Sequence, residues 1–236
     1  MHEIKIITLS MPFKLGTVNC YLIETDTGFV LVDTGSHNGR AELESELRDA
    51  GCQPGDLELI VLTHGDFDHT GNAAHLREKY GARLALHRDD LGMADQGDMF
   101  WNRSSGNRLM GLIAPILFRF ARSSRFRPDF YVEEGDGFSE YGFDAQVLSL
   151  PGHSRGSIGI LTAGGDLFCG DLLENIKDPT TNLIMDDKAA CESSVEKLQG
   201  LEINTVFPGH GQPFPMASFL REQSRLEAGH ANSDRP

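Results

Sequence analysis

Four apolar runs in this chain each stop at a histidine or an aspartate, which restricts it to folds in which several strand ends meet at one place. The runs are Leu59–Thr63 into His64-Gly65-Asp66-Phe67-Asp68-His69, Val147–Leu150 into Pro151-Gly152-His153, Leu167–Cys169 into Gly170-Asp171, and Thr205–Phe207 into Pro208-Gly209-His210. In α/β folds the loops leaving strand ends are where polar groups converge on a ligand, and a glycine lets backbone come close. The first segment packs two aspartates and two histidines into six residues. Buried, such a turn costs repulsion and desolvation unless a cation sits among the side chains. Taken by itself it also reads as a solvated loop opening a helix at Thr70-Gly71-Asn72. The three further runs weigh against that.

At 236 residues with 39% hydrophobic content, the chain can bury a sizeable core, and a single domain is expected over 1–236. The net charge of -14 argues against general nucleic-acid binding but leaves room for a local basic patch. Cys20, Cys52, Cys169 and Cys191 are widely spaced with no CxxC pair, so buried thiols are expected rather than a zinc knuckle or disulfides. The opening residues lack the pattern of a secretion signal and no run reaches membrane-spanning length, so a cytoplasmic location is expected.

Two stretches repeat one plan of hairpin, helix and strand ending in histidine. The first runs through Cys20–Ile23, a turn at Thr25–Gly28, Phe29–Val32, a helix near Arg40–Ala50, and the strand into His64. The second runs through Ser157–Thr162, a turn at Ala163–Asp166, Leu167–Cys169, a helix near Lys188–Gln199, and the strand into His210. A duplicated unit of this kind predicts α and β elements around a layered core. A short helix is expected from Met216 to about Leu226, with a frayed tail over 228–236.

Between the halves, residues 92–129 read as an inserted helical cap. From Trp101 to Arg127 there are six arginines and no acidic residue. Leu109, Leu112, Ile113, Ile116, Leu117 and Phe120 fall at helical spacing, with Arg108, Arg119 and Arg122 on another face and Pro115 breaking the run. Trp101, Phe100 and Phe118 could wall an apolar pocket while Arg119 and Arg122 hold an anionic group of a small-molecule substrate. A solvated arginine face and peripheral docking on an anionic membrane surface are the alternatives.

The ligand segments, in order and together with Asn19-Cys20-Tyr21-Leu22 and Val30-Leu31-Val32-Asp33-Thr34-Gly35, resemble the metallo-β-lactamase superfamily over nearly the whole chain. That resemblance implies a four-layer αβ/βα sandwich with two mixed β-sheets. It implies a dinuclear site with one metal on His64, Asp66 and His153, a second on Asp68, His69 and His210, and Asp171 between them. Asp33 would then support a ligand rather than bind a metal itself.

The departure from the family is Asp66, where the superfamily usually has histidine. A third carboxylate lowers the summed charge of two dications and their ligands from about +2 to about +1, and it hardens the site. Zinc is expected first, with iron or manganese brought closer by that oxygen ligand. The resemblance further implies hydrolysis, with hydroxide held between the metals attacking a small acyl ester, thioester or lactone and Asp68 relaying a proton. Ser154, Ser157 and Cys169 then need only loop and core roles, and His2, His37, His75, His87 and His230 only solvated or capping ones.

A phosphodiesterase or phospholipase-type hydrolase shares this architecture, and so does a flavodiiron-like redox protein working with a separate flavin partner. The short stretch after His210 makes a glutathione-gripping helical domain an unexpected addition.

Overall fold

In a computed structural model, residues 2–12, 16–101, 103 and 125–233 are described, with the side chains of 226–233 left out. The predicted cap residues Phe118, Arg119 and Arg122 lie outside the described residues.

The first sheet is built in chain order from β1 (Ile4–Ser10), β2 (Thr17–Glu24), β3 (Phe29–Val32), β4 (Leu57–Val61), β5 (Arg83–Leu86) and β6 (Phe130–Tyr131). Strands β1, β2 and β3 pair antiparallel, and β3 to β6 run parallel. The second sheet takes β7 (Gly137–Phe138), β8 (Phe143–Ser149), β9 (Ile158–Thr162), β10 (Asp166–Gly170), β13 (Thr205–Pro208) and β14 (Phe214–Pro215) in the order β14-β13-β10-β9-β8-β7. A small hairpin, β11 (Leu173–Glu174) with β12 (Thr180–Thr181), stands apart from both.

The repeated plan is visible in the pairing. β2 and β3 are antiparallel and β3 is parallel to β4, while β9 and β10 are antiparallel and β10 is parallel to β13. The crossovers are α1 (Arg40–Asp49) in the first half and α5 (Lys188–Gln199) in the second. Two shorter helices, α2 (Phe67–Thr70) and α3 (Ala73–Tyr80), follow β4, and α4 (Leu91–Gln96) follows β5. A parallel pair joined by a crossover places both strand ends at the same sheet edge. Asp33 and His64 therefore share one edge, and Asp171 and His210 share its counterpart.

Three apolar clusters make four layers of the two sheets. Tyr21, Val32 and Val61 from the first sheet meet Phe143, Val147 and Phe168 from the second in the middle. Cys20, Leu22 and Ile60 on the outer face of the first sheet bury Leu43, Leu47 and Leu76 of α1 and α3. Leu161 and Leu167 on the outer face of the second bury Val195 and Leu198 of α5, with Phe219 from the last helix. Successive residues of β2 thus go to opposite cores, so this central strand reads as a continuous apolar run.

Sequence reasoning missed β1, an edge strand that buries Ile7 and Leu9 and leaves Ile6 exposed. The closing helix α6 spans Met216–Ser233, beyond the expected stop near Leu226. The four cysteines are free and buried. Among the described residues, no helix is long and apolar enough to cross a membrane.

Candidate metal centre

Each of the seven expected ligands leaves the end of a strand or the turn after it, and all seven come to one place. His64 follows β4, Asp66 precedes α2, and Asp68 and His69 lie on it. His153 follows β8, Asp171 follows β10, and His210 follows β13. His64, Asp66 and His153 offer ligand atoms within 4.8 Å of one another, as do Asp68, His69 and His210, and also His64, His69 and Asp171. Asp171 faces both groups, with Oδ1 3.2 Å from His69 Nε2 and Oδ2 3.2 Å from His210 Nε2 and 3.9 Å from His153 Nε2.

The histidine rings are held so that the same nitrogen is free on each. His69 Nδ1 donates to Asp33 Oδ2 at 2.8 Å, His153 Nδ1 to the Ile184 carbonyl at 2.7 Å, and His210 Nδ1 to the Thr17 carbonyl at 2.6 Å. Thr63 Oγ1 gives its proton to Asp33 Oδ2, so at 3.0 Å it accepts from His64 Nδ1. With every Nδ1 carrying the proton, four Nε2 lone pairs converge. His64 Nε2, His69 Nε2 and Asp171 Oδ1 are buried without a hydrogen-bond partner. Spacings of 2.9–3.6 Å from Asp66 Oδ2 to His153 and His64 suit ligands that share one ion at roughly 2.0–2.2 Å. These residues fit a pair of divalent cations.

The electrostatics point the same way. Burial opposes charging His69, yet Asp171, Asp33 and Asp68 push it well above the ordinary value. Burial opposes it in His210 too, where Asp171 lifts the ring to about 9. Asp68 goes up instead, through burial and the nearby charges of Asp171 and Asp66. Protons would thus occupy this acid-rich pocket wherever cations did not.

Asp33 is buried, takes φ 59°, the one positive φ outside glycine among the described residues, and also accepts from Thr63 N at 2.8 Å. Gly209 lets β13 approach, since a Cβ there would stand 2.2 Å from Asp171 Oδ1 and 2.7 Å from His69 Cε1.

Several residues were not foreseen. Asp90 accepts from Gly65 N and Ser154 Oγ with Oδ2 and from Gly156 N with Oδ1, tying the His64 loop to the His153 loop. Asn19 Nδ2 and Tyr21 Oη reach across from the first sheet to the Pro208 carbonyl, steadying His210. Arg103 Nη1 lies 2.8 Å from Asp66 Oδ1, and the charge of Arg103 helps hold that buried carboxyl well below the ordinary range against the upward push of burial. No spacing rule singles out one arginine of six, and Asn19 reads as an ordinary strand residue.

A cavity of about 280 Å3 opens over the ligands, walled by Met11, Phe67, Met99, Ile176 and Ile184 with Glu174 at its rim. Trp101 is 45% exposed and packs over Gly92, where a Cβ would meet its indole, and it is not part of this wall. Cys169 is buried and its thiol is pushed up to about 12, chiefly by burial, while Ser154 is engaged with Asp90 and Ser157. Of the histidines outside the set, His75 pairs with Glu44 and His87 caps a turn.

A sequence model of the metallo-beta-lactamase superfamily matches residues 14–210. A probable metallo-hydrolase, YqgX of Bacillus subtilis, is 28% identical over 219 residues, covering 91% of this chain and 93% of the relative. The acyl-coenzyme A thioesterase MBLAC2 of Bos taurus is 26% identical, covering 86% of this chain and 76% of the relative. The crystal structure of TTHA1623 in a di-iron-bound form aligns with a TM-score of 0.71 and 30% identity, over 92% of this chain and 97% of that one. Two mixed sheets with outer helices, a histidine-aspartate cluster at their shared edge and a match over most of the length converge: this chain belongs to the metallo-β-lactamase superfamily, as a metallo-hydrolase.

Proposed function

We propose that this metallo-hydrolase cleaves a small acyl ester or thioester at a dinuclear centre formed by His64, Asp66, Asp68, His69, His153, Asp171 and His210. The observation that carries the reading is the cluster of four lone-pair-bearing Nε2 atoms and three carboxylates, of which Asp66, Asp68, His153, Asp171 and His210 line a cavity with largely apolar walls. Two divalent cations, when bound, supply a nucleophilic hydroxide at neutral pH and stabilise charge developing on an acyl oxygen.

The chain's own residues supply the rest. Met11, Phe67 and Met99 exclude water and receive the acyl group, and Ile176 and Ile184 extend that wall to the surface. Asp68 Oδ2 faces His210 Nε2 at 3.5 Å and His69 Nε2 at 4.0 Å, the place of a ligand oxygen, and its second oxygen is left to relay a proton toward the leaving group. Neither Ser154 nor Cys169 is placed to act as a nucleophile. The thioesterase name borne by the bovine relative favours thioesters as the first class to try. An oxygen ligand at Asp66 and the di-iron form of the similar structure make iron the metal to set against zinc and manganese.

The test is turnover of acyl-coenzyme A thioesters and aryl esters of graded chain length by purified, metal-loaded protein. His64→Ala and Asp171→Ala should abolish it. Turnover equal to wild type in those variants refutes the reading. Because that similar structure holds two irons, oxygen consumption with a reduced flavin donor is the matching assay for a redox role, and activity there without hydrolysis replaces this proposal.

A further inference from the structure

Arg103 belongs to the arginine-rich stretch, yet its side chain is only 8% exposed, which is unusual for a cation outside a fixed ionic network. Nη1 stands 2.8 Å from Asp66 Oδ1, Nε donates to Asp186 Oδ2 at 2.9 Å, and Nη2 reaches the His153 carbonyl at 3.4 Å. One guanidinium therefore touches the Asp66 turn, the His153 loop and the loop that follows the β11–β12 hairpin. That last loop is anchored independently, because Asp186 N and Asp187 N both donate to the Gly152 carbonyl.

Asp66 is also the position at which this chain carries a carboxylate where the superfamily usually carries imidazole. An imidazole ligand has one free lone pair and no charge, whereas a carboxylate brings a negative charge and two oxygens, either of which can swing toward a cation. In this site one oxygen faces Arg103. The other, Oδ2, points at the gap between His64 and His153, 3.6 and 2.9 Å from their Nε2 atoms.

We infer that Arg103 is the positioning residue that makes an aspartate serviceable at 66: it takes Oδ1, leaves a single oxygen for the cation, and restores the charge that the third carboxylate subtracts. The pair Asp66–Arg103 stands in for one neutral histidine. It follows that the first residues of the arginine-rich insertion are coupled to the metal centre through the ligand itself. The inference rests on the proposed metal centre, but its first test needs no metal.

The experiment is a double-mutant cycle with Arg103→Met and Asp66→His, read first as the melting temperature of chelator-treated protein. In the wild-type background Arg103→Met strands a buried carboxylate and should lower the Tm on the order of 10 °C. In the Asp66→His background the same change should cost less than about 3 °C, since only the partly exposed Asp186 and the long contact to the His153 carbonyl are lost. Equal losses in both backgrounds would make Arg103 a plain strut between Asp186 and the His153 carbonyl, and would overturn the inference.

The second readout is zinc affinity by competition with a chromophoric chelator. Arg103→Met within Asp66→His removes a cation facing a neutral ring beside a dication, so binding should tighten on the order of tenfold. Unchanged or weaker binding contradicts the charge argument. If no variant or wild type binds zinc while the Tm cycle still shows coupling, the metal-centre reading fails and the Asp66–Arg103 pairing stands. Should Arg103→Met not fold, Arg103→Lys runs the same cycle, because a lysine cannot serve Asp66 and Asp186 at once.

Discussion

Asp33→Asn is the smallest change that should damage the metal centre without touching a ligand. Asp33 takes three buried donors: Thr63 N on Oδ1 at 2.8 Å, and Thr63 Oγ1 and His69 Nδ1 on Oδ2, both at 2.8 Å. Asparagine keeps the size and tolerates φ 59°. With its oxygen retained on the Thr63 amide, its NH2 faces the hydroxyl and the ring. Both must then turn from donor to acceptor. For His69 that means moving the proton from Nδ1 to Nε2, which removes the lone pair aimed into the site. Losing such a support costs on the order of 10–100-fold in metal affinity, or about 1.4–2.8 kcal/mol. In the metal-free protein Asp33 also favours the charged form of His69, so the variant should melt below wild type in that form too. Chelator competition on the two proteins, with near-ultraviolet circular dichroism as a control for fold, reads both quantities. Affinity within twofold of wild type in a folded variant would refute the tautomer argument.

Three further outcomes follow from the same geometry. Gly209→Ala places a methyl 2.2 Å from Asp171 Oδ1, so at least one metal equivalent should be lost by elemental analysis while the sheets stay folded. Phe168 stacks at 5.0 Å on Phe207 and meets Tyr21 at 5.2 Å in the core between the sheets, so Phe168→Ala should lower urea-unfolding stability by about 3–5 kcal/mol. Glu44 lies below its ordinary value of 4.5, held there first by Lys79 and also by His75. A carboxylate depressed in the folded state stabilises it above 4.5 and ceases to do so as pH falls through the lowered value. These partners are partly exposed, so wild type should exceed Glu44→Gln by under about 1 kcal/mol at pH 7, with the gap closing in acid, as thermal melts across that range would show.

The parts of the site legible in the sequence are those written locally. An apolar run that stops at histidine or aspartate is a short-range pattern, and four of them marked His64, His153, Asp171 and His210, which the fold brings into one cluster, with the strands that carry them. The repeated hairpin, helix and strand were legible for the same reason, since α5 and β3 follow from composition and spacing over a few residues. What escaped depends on contacts between distant parts of the chain. Asp90 joins loops 65 and 154–156, Asn19 grips residues about 190 positions away, and Arg103 reaches Asp66 and Asp186. Composition showed six arginines and suggested a solvated or anion-binding face, but burial of one among carboxylates has no periodic signature. The edge strand β1 was missed because an exposed isoleucine, Ile6, stands next to buried Ile7 and breaks the apolar-polar alternation in the sequence.

The account rests on seven side chains gathering around two cations, and elemental analysis tests that most directly. Purified protein reconstituted separately with zinc, manganese or anaerobic ferrous iron should hold about two equivalents of at least one of them, falling to about one or fewer in His210→Ala. Less than one equivalent of every metal in the folded wild-type protein would contradict it.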